Sequence, residues 1–265
     1  MLKIKMNKFE IRIIFLFFFT LDVLSENIGQ PGELFPVKVN KGIFTSSNGL
    51  IKIDNSYYKL VPLSFSKQGQ YVVFEDTKIF IQNKDFGESR ITITNNALVN
   101  LSDEDKDRTI RESKIINKAL QTYSKKMNPT FSFISPVDGI ISSRYGKKRF
   151  INNSPRSPHL ALDIAAPEGT KVLSPEDGKV ILIGNFFYSG NYLIIDHGQG
   201  LLSSYSHLSS ISVSEEDILK QGQEIGKIGS TGRVTGPHLH WTVYYEKVRI
   251  NPESLLKDNY LEALL

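Results

Sequence analysis

Gly236-Pro237-His238-Leu239-His240-Trp241-Thr242-Val243-Tyr244-Tyr245 is the stretch from which the rest of the chain is best read. From His238 onward it is rich in aromatic and β-branched residues, the composition of a strand. Side chains alternate faces along a strand, so His238 and His240 point the same way. Two imidazoles on one face suit a shared metal or reacting atom. They also suit two half-buried polar residues, and the rest of the chain decides between these readings.

The chain holds five histidines, His159, His197, His207, His238 and His240, all in its second half. His159 lies in Pro158-His159-Leu160-Ala161-Leu162-Asp163-Ile164. Read as a strand, this places His159, Ala161 and Asp163 on one face and Leu160, Leu162 and Ile164 toward the core. A surface strand with its polar residues outward fits the segment equally well on its own. Taken with His240, however, His159 and Asp163 make two imidazoles and one carboxylate. That set suits a catalytic zinc with three protein ligands and an open fourth position; iron is chemically compatible with it too.

His207 sits in Ser203-Ser204-Tyr205-Ser206-His207-Leu208, where strand alternation puts Tyr205 and His207 on one face. With His238 it would form a second pair beside the metal, able to take a proton from water, return it and stabilise an oxyanion. The chain has no His-Glu-x-x-His segment, so a histidine is the candidate base. His197, in Ile195-Asp196-His197-Gly198-Gln199-Gly200, closes a strand at a turn and is read as structural.

Residues 1–12 are basic and residues 13–21 are apolar, followed by Val23-Leu24-Ser25: the layout of a secretory signal peptide over residues 1–25. The apolar run is short for a bilayer span, which needs about 20 residues. An uncleaved anchor is the alternative, and the only route to a membrane. Short strands separated by turn residues fill 26–101 and predict a small β-sandwich-like domain. Ser102 then caps an amphipathic helix over about 103–126, part of a connector at 102–130. Residues 131–255 alternate glycines with short apolar strands, which predicts an all-β domain of antiparallel sheets. A short helix follows Asn251-Pro252, and 256–265 form a tail. The fold class is mainly β.

Formal net charge is +4, and Lys3, Lys5, Lys8 and Arg12 against Glu10 and Asp22 account for half of it. What remains makes no case for nucleic acid. Arg144, Lys147, Lys148, Arg149 and Arg156 form a local basic cluster, read either as a solvated loop or as contact with an anionic polymer. The chain has no cysteine, so thiolate metal sites, disulfides and a thiol nucleophile are excluded.

The patterns His159-x-x-x-Asp163 and His238-x-His240, with Ser206-His207-Leu208 between them, resemble the lysostaphin/LytM-type zinc metallopeptidases. Ser143-Arg144-Tyr145-Gly146, Asp163-Ile164-Ala165-Ala166-Pro167-Glu168-Gly169-Thr170 and Gly229-Ser230-Thr231-Gly232 agree with that family. One departure is Ala161, where the family carries glycine. The resemblance implies an all-β catalytic domain that binds one zinc through His159, Asp163 and His240, with His207 and His238 as the catalytic pair. It further implies an exported, periplasmic endopeptidase acting on peptide stems of cell-wall peptidoglycan. Residues 31–100 more loosely resemble the N-terminal domain of Gram-negative relatives, which implies D-alanyl–diaminopimelate cross-links as substrate. By its position that domain would cover the groove and restrain the enzyme. The alternative is a non-enzymatic cell-wall protein of the same fold that activates amidases.

Overall fold

The computed structural model describes residues 26–40, 49–53, 55–94 and 100–265. The expected signal peptide or anchor at 1–25 lies outside the described residues. Among the described residues no helix is long and apolar enough to cross a membrane.

The N-terminal half contains strands β1 (Asn27–Gly29), β2 (Leu34–Val39), β3 (Leu50–Ile53), β4 (Ser56–Pro62), β5 (Tyr71–Phe74), β6 (Thr77–Ile81) and β7 (Glu88–Ile91). They form two three-stranded sheets, β1-β6-β5 and β2-β4-β3. Val37, Val39, Val61, Leu63, Ile79 and Ile81 fill one apolar cluster contributed by both sheets. That is the sandwich-like arrangement the short strands predict. β7 departs from it and pairs in parallel with a strand of the C-terminal half.

Helix α1 (Asp103–Ala119) follows, with Ser102 Oγ accepting the Asp105 N–H at 3.1 Å as its N-cap. It ends earlier than the expected residue 126. The segment after it turns to make tertiary hydrogen bonds: Tyr123 Oη donates to Gln199 Oε1 at 3.1 Å, and Ser124 Oγ bonds Asp196. Those contacts outweigh the continued helical spacing of apolar residues.

The C-terminal half continues with β8 (Ile140–Ser143), β9 (Lys148–Ile151), β10 (Ser154–Arg156), β11 (Leu162–Ala165), β12 (Lys171–Leu173), β13 (Gly178–Phe186), β14 (Gly190–Gly198) and β15 (Leu201–Ile211). After them come β16 (Ile218–Leu219), β17 (Glu224–Ile228), β18 (His238–Tyr245), β19 (Val248–Ile250) and the short helix α2 (Pro252–Leu255). Ten of these strands form one antiparallel sheet with the path β16-β13-β14-β15-β18-β11-β8. β7, β9 and β10 make a separate three-stranded sheet, in which Ser89 faces Arg149 and Ile91 faces Ile151.

A sheet must bury both faces or leave one for use. On β18, Leu239, Trp241, Val243 and Tyr245 enter the main core, where Trp241 is fully buried. The opposite face carries His238, His240 and Tyr244. Tyr244 joins Phe186, Tyr192, Ile194 and Leu202 in a second cluster, with Leu120 at the end of α1 packed into it. The helix therefore covers one end of that face. The other end, with the two histidines, stays open as a groove.

Candidate metal centre and groove

β18 lies between β11 and β15, with His240 opposite Asp163 on one side and Ser206 on the other. Directly opposed residues in an antiparallel pair share a face, so Asp163 and His240 meet by register alone. His159 reaches them differently. It precedes β11 rather than lying in it, and the expected strand begins only at Leu162. Backbone hydrogen bonds hold it in place: its N–H to Lys147 O at 2.9 Å, and Gly146 N–H to its own carbonyl at 2.6 Å.

His159 Nε2 lies 2.9 Å from Asp163 Oδ1 and 3.3 Å from His240 Nδ1, and His240 Nδ1 lies 2.7 Å from Asp163 Oδ1. One donor atom from each residue thus falls within 4.8 Å of the other two. His159 Nδ1 is 3.1 Å from Arg144 O, and a carbonyl only accepts, so Nδ1 carries the hydrogen. This leaves the Nε2 lone pair facing Asp163 and His240, the tautomer that a backbone partner fixes in a metal-ligating histidine. Burial works to raise the Asp163 carboxyl, but His240 and His159 prevail and hold it well below the usual carboxylate range. Two imidazole nitrogen donors and one ionised oxygen donor fit a divalent cation such as zinc.

His207 joins the groove by a route that simple alternation misses. Tyr205 lies fully buried in the core, opposite Trp241. Alternation would send His207 the same way, but its φ of +68° places it in the left-handed region. The irregular strand pairing there turns its ring to the groove face. The His207 and His238 ring centroids are 4.9 Å apart, and His207 lies 5.9 Å from His240. His207 Nδ1 donates to Thr231 O at 2.9 Å and His238 Nδ1 to Gly236 O at 2.9 Å, so each ring keeps a free Nε2. Burial, reinforced by the His240 and His238 rings, lowers His207 to about 3.

Asp163, His207, His238 and His240 line a groove of about 390 Å³, with His159 buried behind Asp163 and His240. Its walls hold residues that no motif marked as part of a site. Ser89, Ile91 and Ile93 come from β7 and just beyond, and Arg149 comes from β9. Asn152 clamps Ile93 there through its side chain, bonding both Ile93 N and O. The facing wall is the loop before β18, pressed so tightly on the β13–β14 turn that a Cβ on Gly232 would stand 2.4 Å from Gly190 N. That approach sets Arg233, whose guanidinium lies 4.1 Å from the Tyr188 ring centroid. Of the basic cluster, Arg144 pairs with Glu253, while Arg149 turns into the groove.

His197 lies away from the groove. Its Nδ1 donates to Asp177 O at 2.8 Å, and its Nε2 meets Ser203 Oγ at 2.7 Å. Burial lowers it from 6.5 to about 4. Unfolded chains therefore protonate first as the pH falls. The stability held by neutral His197 is full above 6.5 and lost by about 4, roughly 3 kcal/mol across the window. His197→Gln is expected to flatten the fall in melting temperature between about pH 7 and pH 4. An unchanged slope would clear His197 of that role.

Comparison with known proteins matches the same part of the chain. Residues 157–252, which include His159, Asp163, His207, His238 and His240, match the model of Peptidase family M23. The chain is 42% identical over 127 residues to the peptidoglycan DD-endopeptidase ShyA of Vibrio cholerae, covering 47% of this chain and 29% of that protein. It is 40% identical over 97 residues to the DD-carboxypeptidase/endopeptidase Mpg of Neisseria meningitidis, covering 37% of this chain and 22% of the relative. The chain thus spans less than a third of these curated relatives. A crystal structure of a peptidase M23 protein from Pseudomonas aeruginosa superposes with a TM-score of 0.60 at 30% identity, over 78% of this chain and 82% of that one. That likeness extends well beyond the histidine-bearing strands into the N-terminal half, and by it the chain belongs to peptidase family M23.

Proposed function

We propose that the protein is a zinc-dependent endopeptidase that hydrolyses peptide cross-links of bacterial cell-wall peptidoglycan, with one zinc per chain held by His159, Asp163 and His240. The observation that carries this reading is the convergence of that donor set with a second histidine pair, His207 and His238, in one open groove. A bound zinc supplies Lewis acidity toward the scissile carbonyl and the attacking water. Within that setting the free Nε2 atoms of His207 and His238 accept the proton of the attacking water and return it to the leaving amine. A protonated ring also stabilises the developing oxyanion. Ile91 and Ile93 narrow the groove from the N-terminal side, and we assign them a restraint on access. The apolar leader at 1–25 sends the rest of the chain to the periplasm, where this polymer lies.

The test is digestion of purified cross-linked muropeptides by the zinc-loaded full chain, with products weighed by mass spectrometry. We expect monomeric products, lost on chelation and restored by zinc, whose masses identify the bond cut. The paired change Ile91→Ala and Ile93→Ala should speed digestion of intact polymer relative to short peptides, and an unchanged ratio would remove the restraint. Zinc-replete protein that binds peptidoglycan yet yields no product would favour the amidase-activating reading instead.

A further inference from the structure

Of the three candidate ligands, Asp163 and His240 are carried by strands, whereas His159 stands ahead of β11. Outside Asp163 and His240, its hydrogen bonds among the described residues all run to residues 143–147. Gly146 N–H donates to its carbonyl at 2.6 Å, and its own N–H donates to Lys147 O at 2.9 Å. Its Nδ1 lies 3.1 Å from Arg144 O and 3.2 Å from Ser143 Oγ. The ring is therefore aimed only as well as that loop is fixed. Much of what fixes the loop comes from the N-terminal half. Phe86, between β6 and β7, lies against Gly146: a Cβ there would stand no more than 2.7 Å from Phe86 Cγ, Cδ1 and Cδ2. Gly146 has φ +91°, so its lack of a side chain serves both the turn and the close approach. Phe86 also meets the Tyr145 ring edge-on at 5.9 Å, and Phe65, in the turn after β4, reaches both rings, at 5.6 and 6.1 Å. Gly87 O accepts the Lys148 N–H at 2.9 Å just beyond. On the other side Tyr145 Oη donates to Arg249 O at 3.1 Å. Close-packed rings pass a displacement on to their neighbours.

We propose that Phe86, backed by Phe65, is a positioning residue for the metal centre: by packing on Tyr145 and Gly146 it holds the loop 143–147 that aims His159 Nε2 at Asp163 and His240. The inference rests on the zinc reading of that cluster and deepens it. The N-terminal half then has two parts in the site. Ile91 and Ile93 narrow the groove, while Phe86 and Phe65 complete the ligand set from behind.

The full chain and its variants should be titrated with zinc in competition with a fluorescent chelator. The zinc-free protein should be read by nitrogen NMR of the His159 ring at mildly alkaline pH. Phe86→Ala should weaken zinc binding by about tenfold to a hundredfold, the usual cost of losing a group that orients a metal ligand. Its His159 ring should pass from a single Nδ1–H tautomer to a mixture. Phe86→Tyr, which keeps the ring, should restore both readings. Phe86→Leu keeps apolar cover without the planar ring, so it should fold even if the alanine variant does not, and show an intermediate loss. Ile79→Val loosens the N-terminal apolar cluster away from the loop and should lower stability while leaving both readings at wild-type values. Unchanged affinity and tautomer in Phe86→Ala and Phe86→Leu, or an equal loss in Ile79→Val, would overturn the proposal. A wild type that binds no zinc, yet loses its single tautomer in Phe86→Ala, would uphold the positioning role and fail the zinc peptidase reading alone.

Discussion

His207→Ala and His238→Ala are each expected to keep one zinc per chain while hydrolysis of cross-linked muropeptides falls by about a hundredfold to ten-thousandfold, the usual contribution of a positioned acid–base group. Both side chains stand outside the set of three close donor atoms: the cluster is complete with His159, Asp163 and His240. Each spends Nδ1 on a backbone carbonyl and keeps Nε2 for the groove. Their rings lie 4.9 Å apart, close enough to serve one reacting centre between them. Groups that act as a unit are non-additive, so the double variant should lose little more than the worse single one. Metal content by mass spectrometry and single-turnover rates check the two halves separately. Zinc loss in either variant would move that residue into the ligand set, and full activity would remove it from the mechanism. His207→Ala carries one further expectation. Its left-handed backbone suits few residues, so His207→Gly should fold at least as well and be equally inactive.

What the sequence made legible follows from which contacts are local. His238 and His240 share a face because a strand alternates, and that rule needs no tertiary information. The pairing of Asp163 with His240 needs register, and the sequence supplied it only through resemblance. Alternation failed at two places. His159 lies ahead of its strand, held by Gly146 and Lys147. His207 was expected on the face of Tyr205, yet the two point apart because one residue with positive φ breaks the period. Histidine enters that conformation more often than most residues, but nothing local marks this one for it. The parallel pairing of β7 with β9 was equally hidden, since it joins segments about sixty residues apart and shows no local signature. The basic cluster was visible as charge, but only packing separates Arg144, tied to Glu253, from Arg149 in the groove. Arg233 directly follows the Gly229–Gly232 stretch that carries the resemblance, and nothing local indicated the Tyr188 ring beneath it.

Asp163→Asn is expected to abolish zinc binding and to lower peptide hydrolysis by about a thousandfold or more, since Lewis-acid stabilisation contributes several kcal/mol to a transition state. The substitution keeps size and shape and changes charge. Among the described residues Asp163 is the only acid lining the groove, and its carboxyl stays ionised well below the usual range because His240 and His159 flank it. Arg149 acts on it from the same groove. A neutral amide therefore leaves a divalent cation facing two imidazoles and a field of positive charge. Binding that favours the native state raises the melting temperature by mass action, about 2.7 kcal/mol at a hundredfold excess over Kd. Zinc should then stabilise the wild type strongly in scanning calorimetry, and Asp163→Asn not at all. His207→Ala should respond to zinc like the wild type, which separates loss of the ion from loss of catalysis. If Asp163→Asn kept both zinc-dependent melting and activity, the His159–Asp163–His240 cluster would not be the metal site.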